Sequence, residues 1–329
     1  MSLISEALPE RAPIVIPYQT LRLIDSKIAA DGGALFRATL QKVLPHIGDI
    51  YRQDDDGFRS HLGASVIGQE CTRATWFDFR WAMQSKFDAR MLRLFNRGHI
   101  EEGRIISLLL MCGFDFWQQD AEGKQFRISA AGGHIGGSGD GVLQGLPDLA
   151  PGTFVLAEFK THKADSFEKL AGKAQLWRSH VEDPANHLFM GKGVEQTKPQ
   201  HYVQMQIYMK RMGLAACLYC ASNKDTDDLY MELVPIDPKV EEKYIELGTK
   251  LVFQKYPPPK INNSPGYWKC RTCDSRAVCQ LGQPMLVNCR TCEHSTAEPD
   301  GSWNCTLRTK VLSKEDQHAA CEFHQMIKT

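Results

Sequence analysis

The apolar run Phe154-Val155-Leu156-Ala157 ends in Glu158-Phe159-Lys160, and Gly139-Asp140 stands upstream with seventeen residues between Asp140 and Glu158. A short apolar run preceded by the turn-forming segment 147–152 reads as a buried strand. Successive strand side chains point to opposite faces, so Glu158 and Lys160 share one face while Phe159 enters the core. An aspartate, an acid and a lysine that converge in this way suit phosphodiester cleavage. Asp140 and Glu158 offer hard oxygen ligands to Mg²⁺ or Mn²⁺, and Lys160 can orient a water and offset charge building on a phosphate. Taken alone, the acid-x-lysine strand end is usually a solvated alternation, and only its context favours the chemical reading.

The segment 132–141 is rich in glycine and reads as a turn-rich approach to a strand at Val142 and Leu143. Glycine there permits close backbone approach to a ligand or metal. It is not a phosphate-binding P-loop, because no Gly-Lys-Ser/Thr closes it, and the chain carries no G-x-x-x-x-G-K-S/T that would mark a helicase motor.

Asp140 with Glu158-x-Lys160 resembles the PD-(D/E)XK nuclease superfamily, and more narrowly its RecB-like branch. Upstream, Arg97-Gly98-His99-Ile100-Glu101-Glu102-Gly103-Arg104 resembles the family's first motif on a helix. Downstream, Gln204-Met205-Gln206-Ile207-Tyr208 resembles the Q-x-x-x-Y helix that lies over the active site. Cys71-Thr72-Arg73-Ala74-Thr75-Trp76-Phe77, together with Cys270-x2-Cys273-x5-Cys279, is similar to the cysteine layout of the iron-sulfur subgroup, which includes AddB and the CRISPR-associated spacer-acquisition nucleases. The resemblance covers roughly residues 65–285.

It implies an α/β fold of the restriction-endonuclease type, a mixed central sheet flanked by helices. Asp140, Glu158, the Phe159 carbonyl and Glu102 (or His99) would hold one or two Mg²⁺ or Mn²⁺ ions, with Lys160 positioning the water. Gln204 and Tyr208 would hold the DNA strand or the lysine, and Cys71, Cys270, Cys273 and Cys279 would hold a [4Fe-4S] cluster. It implies a DNA exonuclease of recombination, repair or processing acting on ends or single strands, with a recombination or replication protein as partner. A structure-specific endonuclease and a catalytically silent DNA-end-binding protein are the alternatives. A phage or bacterial source fits the family.

Each supporting motif has an ordinary reading. His99, Glu101 and Glu102 could be a solvated helix face, with Leu92, Phe95, Ile100, Ile105, Leu108 and Leu109 supplying the apolar positions, and Gln204 with Tyr208 has ordinary helix-packing spacing.

At 329 residues, 43% hydrophobic and 24% charged, the chain reads as a globular protein of one large domain with additions, or of two domains. The expected division is a helical region over 1–64 after a proline-containing lead (Pro9, Pro13, Pro17), a nuclease domain over 65–286, and a cysteine-rich module over 287–329. Along the central part we expect a helix over 91–112, a strand over 114–119, strands near 141–146 and 154–160, and helical pattern over 166–181. An irregular loop over 183–199, a helix over 199–212, strands over 215–221 and 229–234, and a helix over 238–254 follow. No apolar run approaches a membrane span and residues 1–10 lack a secretory pattern, so the cytoplasm (the host's, for a phage protein) is expected.

The net charge is zero with pI near 7.1, so nucleic-acid binding would need basic residues confined to a groove. Lys163, Lys169, Lys173, Arg178, Lys192, Lys198 and Lys224 are the candidates. Asp148 ranks below Asp140 as a ligand because no strand follows it directly.

Eleven cysteines in a cytoplasmic protein read as metal ligands or buried thiols rather than disulfides. Cys289-x2-Cys292-x12-Cys305-x15-Cys321, with His324 beyond, forms a zinc ribbon-like module too small to hold a core unaided. The family resemblance does not reach it, and iron remains an alternative metal there. Zinc at all seven carboxy-terminal cysteines, with Cys71 a buried thiol, is the competing reading of the iron-sulfur set. Trp303 could stack on a base or pack against the site. Cys112, Cys217 and Cys220 fall in apolar surroundings and read as core.

Overall fold

A computed structural model describes residues 12–52, 57–84 and 86–329; Pro9 and the segment 1–10 lie outside the described residues. The strands are β1 (Leu62–Gly63), β2 (Asp115–Trp117), β3 (Arg127–Ala130), β4 (Ile135–Ser138), β5 (Gly141–Gln144), β6 (Phe154–His162), β7 (Ala216–Asn223), β8 (Leu229–Pro235), β9 (Ser295–Ala297), β10 (Trp303–Cys305) and β11 (Lys310–Val311). The fold is mixed α/β. Its main sheet has the order β2-β5-β6-β7-β8, with β6 and β7 parallel and the other pairs antiparallel. The parallel pair needs a crossover, which the helices Ala164–Ala171, Ala174–Glu182, Gly193–Thr197 and Pro199–Met212 supply. Strands β6 and β7 read as near-continuous apolar runs because both faces of the sheet are covered: Val155, Leu156, Ala157, Cys217 and Leu218 are fully buried.

Two smaller sheets flank this one, β1-β4-β3 and β11-β10-β9. The first was not legible as strands: the glycine-rich stretch expected to be turns contains β4, which pairs parallel with β1 and antiparallel with β3. Gly137 shows why the middle of this strand lacks side chains. A Cβ there would stand 2.3 Å from the Tyr208 hydroxyl oxygen, so the helix Pro199–Met212 can lie on the strand only if residue 137 is glycine.

The expected helix over 166–181 is two helices, broken at Gly172, whose φ of +92° continues no helix. The loop over 183–199 contains the short helix Gly193–Thr197. Among the amino-terminal helices, Tyr18–Asp31 places Leu21 and Ile24 in the main core, and Asp148 caps its first turn by accepting from the Gln19 and Thr20 amides at 2.9 Å each. Ala297, Trp303, Cys305 and Leu312 of the carboxy-terminal segment belong to that core too. No helix among the described residues is long and apolar enough to cross a membrane.

Candidate active site

The β5–β6 register brings the acidic pair together. Gly141 stands opposite Ala157 in the antiparallel ladder, so the preceding Asp140 arrives opposite Glu158. Asp140 is fixed there by accepting the Phe159 N–H on Oδ2 at 2.7 Å. Lys160, two residues on and on the same face, donates its ammonium to Glu158 Oε1. Phe159 points the other way and stacks on Phe116 of β2.

Glu102 reaches the pair from the 23-residue helix Ala89–Met111, which Asp88 caps by accepting the Met91 N–H at 2.7 Å. Its carboxylate accepts from Gln118 Nε2 at 3.2 Å and feels the charges of Asp140 and Lys160. The neighbouring Glu101 is diverted to Arg104 at 2.9 Å. His99 lies one turn earlier on the same helix, partly buried, and shares no hydrogen bond or ion pair with the carboxylates among the described residues. Tyr208, buried against Gly137, and Gln204, hydrogen-bonded to it, cover the pair from the helix Pro199–Met212.

Electrostatics follow from this crowding. Burial, with the charges of Asp140 and Asp49 adding, pushes the Glu102 carboxyl up to about 8. Burial likewise raises Glu158 to about 7, opposed by Lys160 and helped by Asp140. The Asp140 carboxyl is raised by burial against the lowering influence of Lys160 and the Phe159 N–H. Burial alone would lower the Lys160 ammonium, but the charges of Glu158 and Asp140 outweigh it and hold the proton more tightly than usual. Like charges in a water-poor site are a destabilising arrangement that a cation would relieve. Glu158 Oε2 is buried with no hydrogen-bond partner, an oxygen aimed at nothing in the protein. Among the described residues no three His, Cys, Asp or Glu side chains stand in finished metal-ligating geometry: Glu158 is turned onto Lys160 and Asp140 onto a backbone amide.

Sequence reasoning missed two parts of this neighbourhood. Asp49, in the short helix Gly48–Ile50, adds a further acid whose charge bears on Glu102 and Asp140; no local pattern marks it. Beyond Lys160, His162 and His201 both meet the Tyr219 hydroxyl, at 2.9 and 3.0 Å. Burial and then the nearby lysines, Lys198 and Lys160 among them, hold both imidazoles neutral, lowered to about 3. Here a signal existed. His162 continues the Glu158-Lys160 alternation, and His201 shares the helix face of Gln204 and Tyr208.

Of the groove candidates, Lys198 and Lys224 approach His162, and Lys169 approaches Lys198. Arg178 is committed to the buried Asp228 and Lys163 to Asp165.

The cysteines fall into two sets. Cys71, Cys270, Cys273 and Cys279 line one cavity with Ala74, Phe77 and Ile261. Cys289, Cys292, Cys305 and Cys321 line another, with His294 and His324 at its wall. His324 Nε2 also meets the Thr291 hydroxyl at 3.4 Å. Cys217 and Cys220 are fully buried in β7, where their odd spacing turns them to opposite faces of the sheet. Trp303 is 2% exposed, packed on Phe79 and His134, which removes the base-stacking alternative.

No protein-family model matches the chain, and no curated protein matches it. Among solved structures it is similar to SSO0001, at 14% identity over 74% of this chain and 95% of that one, with a TM-score of 0.33. It is similar also to an alkaline exonuclease, LHK-Exo, from Laribacter hongkongensis, solved with and without dAMP, at 13% identity over 58% of this chain and 86% of that one, with a TM-score of 0.33. Similarity at this level decides neither fold nor activity, and the reading that follows rests on the site.

Proposed function

We propose that the protein is a divalent-metal-dependent DNA nuclease of the RecB-like PD-(D/E)XK type, built on a restriction-endonuclease-like core. The observation that carries the reading is the antiparallel register that sets Asp140 against Glu158, with Lys160 on the same face and Glu102 closing the group from a helix. Three acids raised chiefly by burial, Glu102 and Glu158 also by the charge of Asp140, and one of them with an orphaned buried oxygen, fit a hard cation. Asp140, Glu158 and Glu102 would hold Mg²⁺ or Mn²⁺, the Phe159 carbonyl completing the set, and His99 stands one turn away as the alternate. When bound, the ion supplies positive charge to the phosphate being cut.

The chain's own groups do the rest. Lys160, released from Glu158, holds the attacking water and faces charge developing on a phosphoryl oxygen. The water oxygen bonds to phosphorus, the P–O3′ bond breaks, and a proton passes through solvent to the leaving oxygen, giving a 5′-phosphate and a 3′-hydroxyl. Tyr208 and Gln204, buried over the carboxylates, would hold Lys160 or the DNA strand in place, and Lys198, Lys224 and Lys169 would continue a basic track for its phosphates. Exonucleolytic action on ends or single strands is the preferred mode. Cys71, Cys270, Cys273 and Cys279 would hold a [4Fe-4S] cluster that ties the helix Thr72–Phe79 to the end of the core; four thiols on one cavity, with Ala74, Phe77 and Ile261 beside the polar Lys260, Ser275, Arg276 and Gln280, supply its donor set.

The test is digestion of end-labelled and circular DNA by anaerobically purified protein with Mn²⁺, beside its Asp140→Ala variant. Cleavage of linear DNA by the parent alone is expected. An Asp140→Ala protein that cuts as well as the parent would overturn the assignment, and metal binding with no cleavage would mark a silent DNA-binding protein.

A further inference from the structure

The second cysteine cavity sits at the root of a hairpin whose tip touches the turn before β4, the strand that ends two residues short of Asp140. Cys289 and Cys292 form a tight knuckle: the Cys292 N–H donates to the Cys289 carbonyl at 3.1 Å, and Asn288 caps the turn through a reciprocal bond pair with Thr291. Strand β9 follows at once, and β10 returns antiparallel with Cys305 opposite Ser295, bringing Cys305 back to the knuckle. Cys321, beyond the helix Lys314–Ala319, closes the cavity. The thiols are mutual neighbours. Burial first, then the charges of Cys292, Cys321 and Cys305, raise the Cys289 thiol to about 11. Four soft donors on one cavity with a two-residue knuckle are the set that tetrahedral Zn²⁺ takes, and binding would draw the sulfurs into the ligating geometry that no three of them hold here.

At the opposite end the hairpin turn lies backbone to backbone on the turn before β4. His134 Nε2 and the Glu298 carbonyl oxygen are 2.9 Å apart. A Cβ on Gly132 would stand 2.1 Å from the Pro299 carbonyl oxygen, and one on Gly301 would stand 2.1 Å from the Gly132 carbonyl oxygen. Strand β4 runs from this contact to Ser138, two residues short of Asp140. The root is anchored independently. The Arg290 guanidinium, between the two knuckle cysteines, lies 3.8 Å from the Trp81 ring centroid and donates to the Phe79, Ser60 and Gln317 oxygens at 2.8–2.9 Å.

We propose that Cys289, Cys292, Cys305 and Cys321 bind one Zn²⁺ as thiolates, releasing their protons, and that the loaded site stiffens the β9–β10 hairpin so that its tip clamps the Gly132 turn and fixes the approach to Asp140. The importance of Asp140 rests on the nuclease reading; the metal and the clamp do not. Zinc therefore acts here as a structural ligand remote from the carboxylates, and its loss loosens β4 and the link from it to Asp140.

The experiment uses the full chain. Elemental analysis counts zinc, Co²⁺ replacement reports the ligand field of a tetrahedral thiolate site, and hydrogen exchange reads the amides of residues 132–140. We expect Cys305→Ser to lose one equivalent of zinc and the Co²⁺ bands, with at least about tenfold faster exchange over 132–140. Cys321→His, which keeps a ligand, should retain the zinc. Gly132→Ala leaves every cysteine in place, so it should keep zinc and the Co²⁺ spectrum yet show the same faster exchange. Should Cys305→Ser fail to fold, the Cys321→His and Gly132→Ala pair still decides. Zinc unaffected by Cys305→Ser, or absent from the parent, would overturn the site; unchanged exchange in Gly132→Ala would overturn the clamp. All three readouts are indifferent to DNA cleavage, so a failed nuclease assay would leave them standing.

Discussion

Replacing Glu102 by glutamine should make the protein more stable when Mg²⁺ and Mn²⁺ are withheld, and less able to use them. The carboxyl is raised from an ordinary 4.5 to about 8, chiefly by burial and then by Asp140 and Asp49. A folded-state value above the unfolded one means that folding takes up a proton. Stability is then full below pH 4.5 and is lost as pH climbs through the window up to about 8. At about 1.4 kcal/mol for each pH unit, the loss reaches roughly 3 kcal/mol by pH 7. Solvent reaching this partly buried group screens part of it, leaving roughly 1–3 kcal/mol. Glutamine keeps the carbonyl that accepts from Gln118 and removes the charge. Urea midpoints at pH 5, 7 and 8 in buffer free of both ions should show the parent losing stability with pH and the variant losing less, so that the variant leads by the above margin at pH 7. Adding Mn²⁺ should stabilise the parent and leave the variant nearly unmoved. A variant equal to or weaker than the parent at pH 8 without metal would refute the crowded-acid account.

Three further outcomes are expected. Lys160→Met should keep DNA binding in a mobility-shift assay while cleavage falls about 100-fold or more, since its ammonium faces the charge that develops during reaction; a smaller loss would remove Lys160 from the chemistry. Arg290→Met should cost about 3 kcal/mol in a urea titration, because the Phe79 and Ser60 carbonyls and Gln317 lose their buried donor. Cys71→Ser, purified without oxygen, should lose iron and visible absorption while its zinc content is unchanged; retained iron would return Cys71 to the role of a buried thiol.

The centre of the site was legible because its logic is local. Strand alternation alone sets Glu158 and Lys160 on one face, and a strand-turn-strand spacing suffices to bring Asp140 alongside. The helix bearing Glu102 announced itself by its apolar period, and the carboxy-terminal cysteines of both sets by their spacing, whereas Cys71 joined its set only through the family resemblance. What failed to show were features defined by distant partners. The middle of strand β4 is the pair Gly136-Gly137 because His61 and Tyr208 lie against it, and paired glycines read as a turn when those partners are unknown. Asp49 sits in an isolated short turn and meets the acids only through the tertiary fold. The amino-terminal and carboxy-terminal segments looked separable, yet Ile24 and Trp303 share a core with Leu156.

The reach of Arg290 also sets the order in which the protein can be assembled. Its guanidinium fills the space between Trp81 and Phe79 and satisfies the Phe79 and Ser60 carbonyls, more than 200 residues upstream. A chain emerging from the ribosome can therefore pair β5, β6, β7 and β8 early, but the ground beneath Ser60, Phe79 and Trp81 stays open until residue 290 has been released. The packing around Ser60, Phe79 and Trp81 is therefore completed by a segment that arrives long after the strands of the main sheet, and it closes only once the region of residue 290 has folded back onto it.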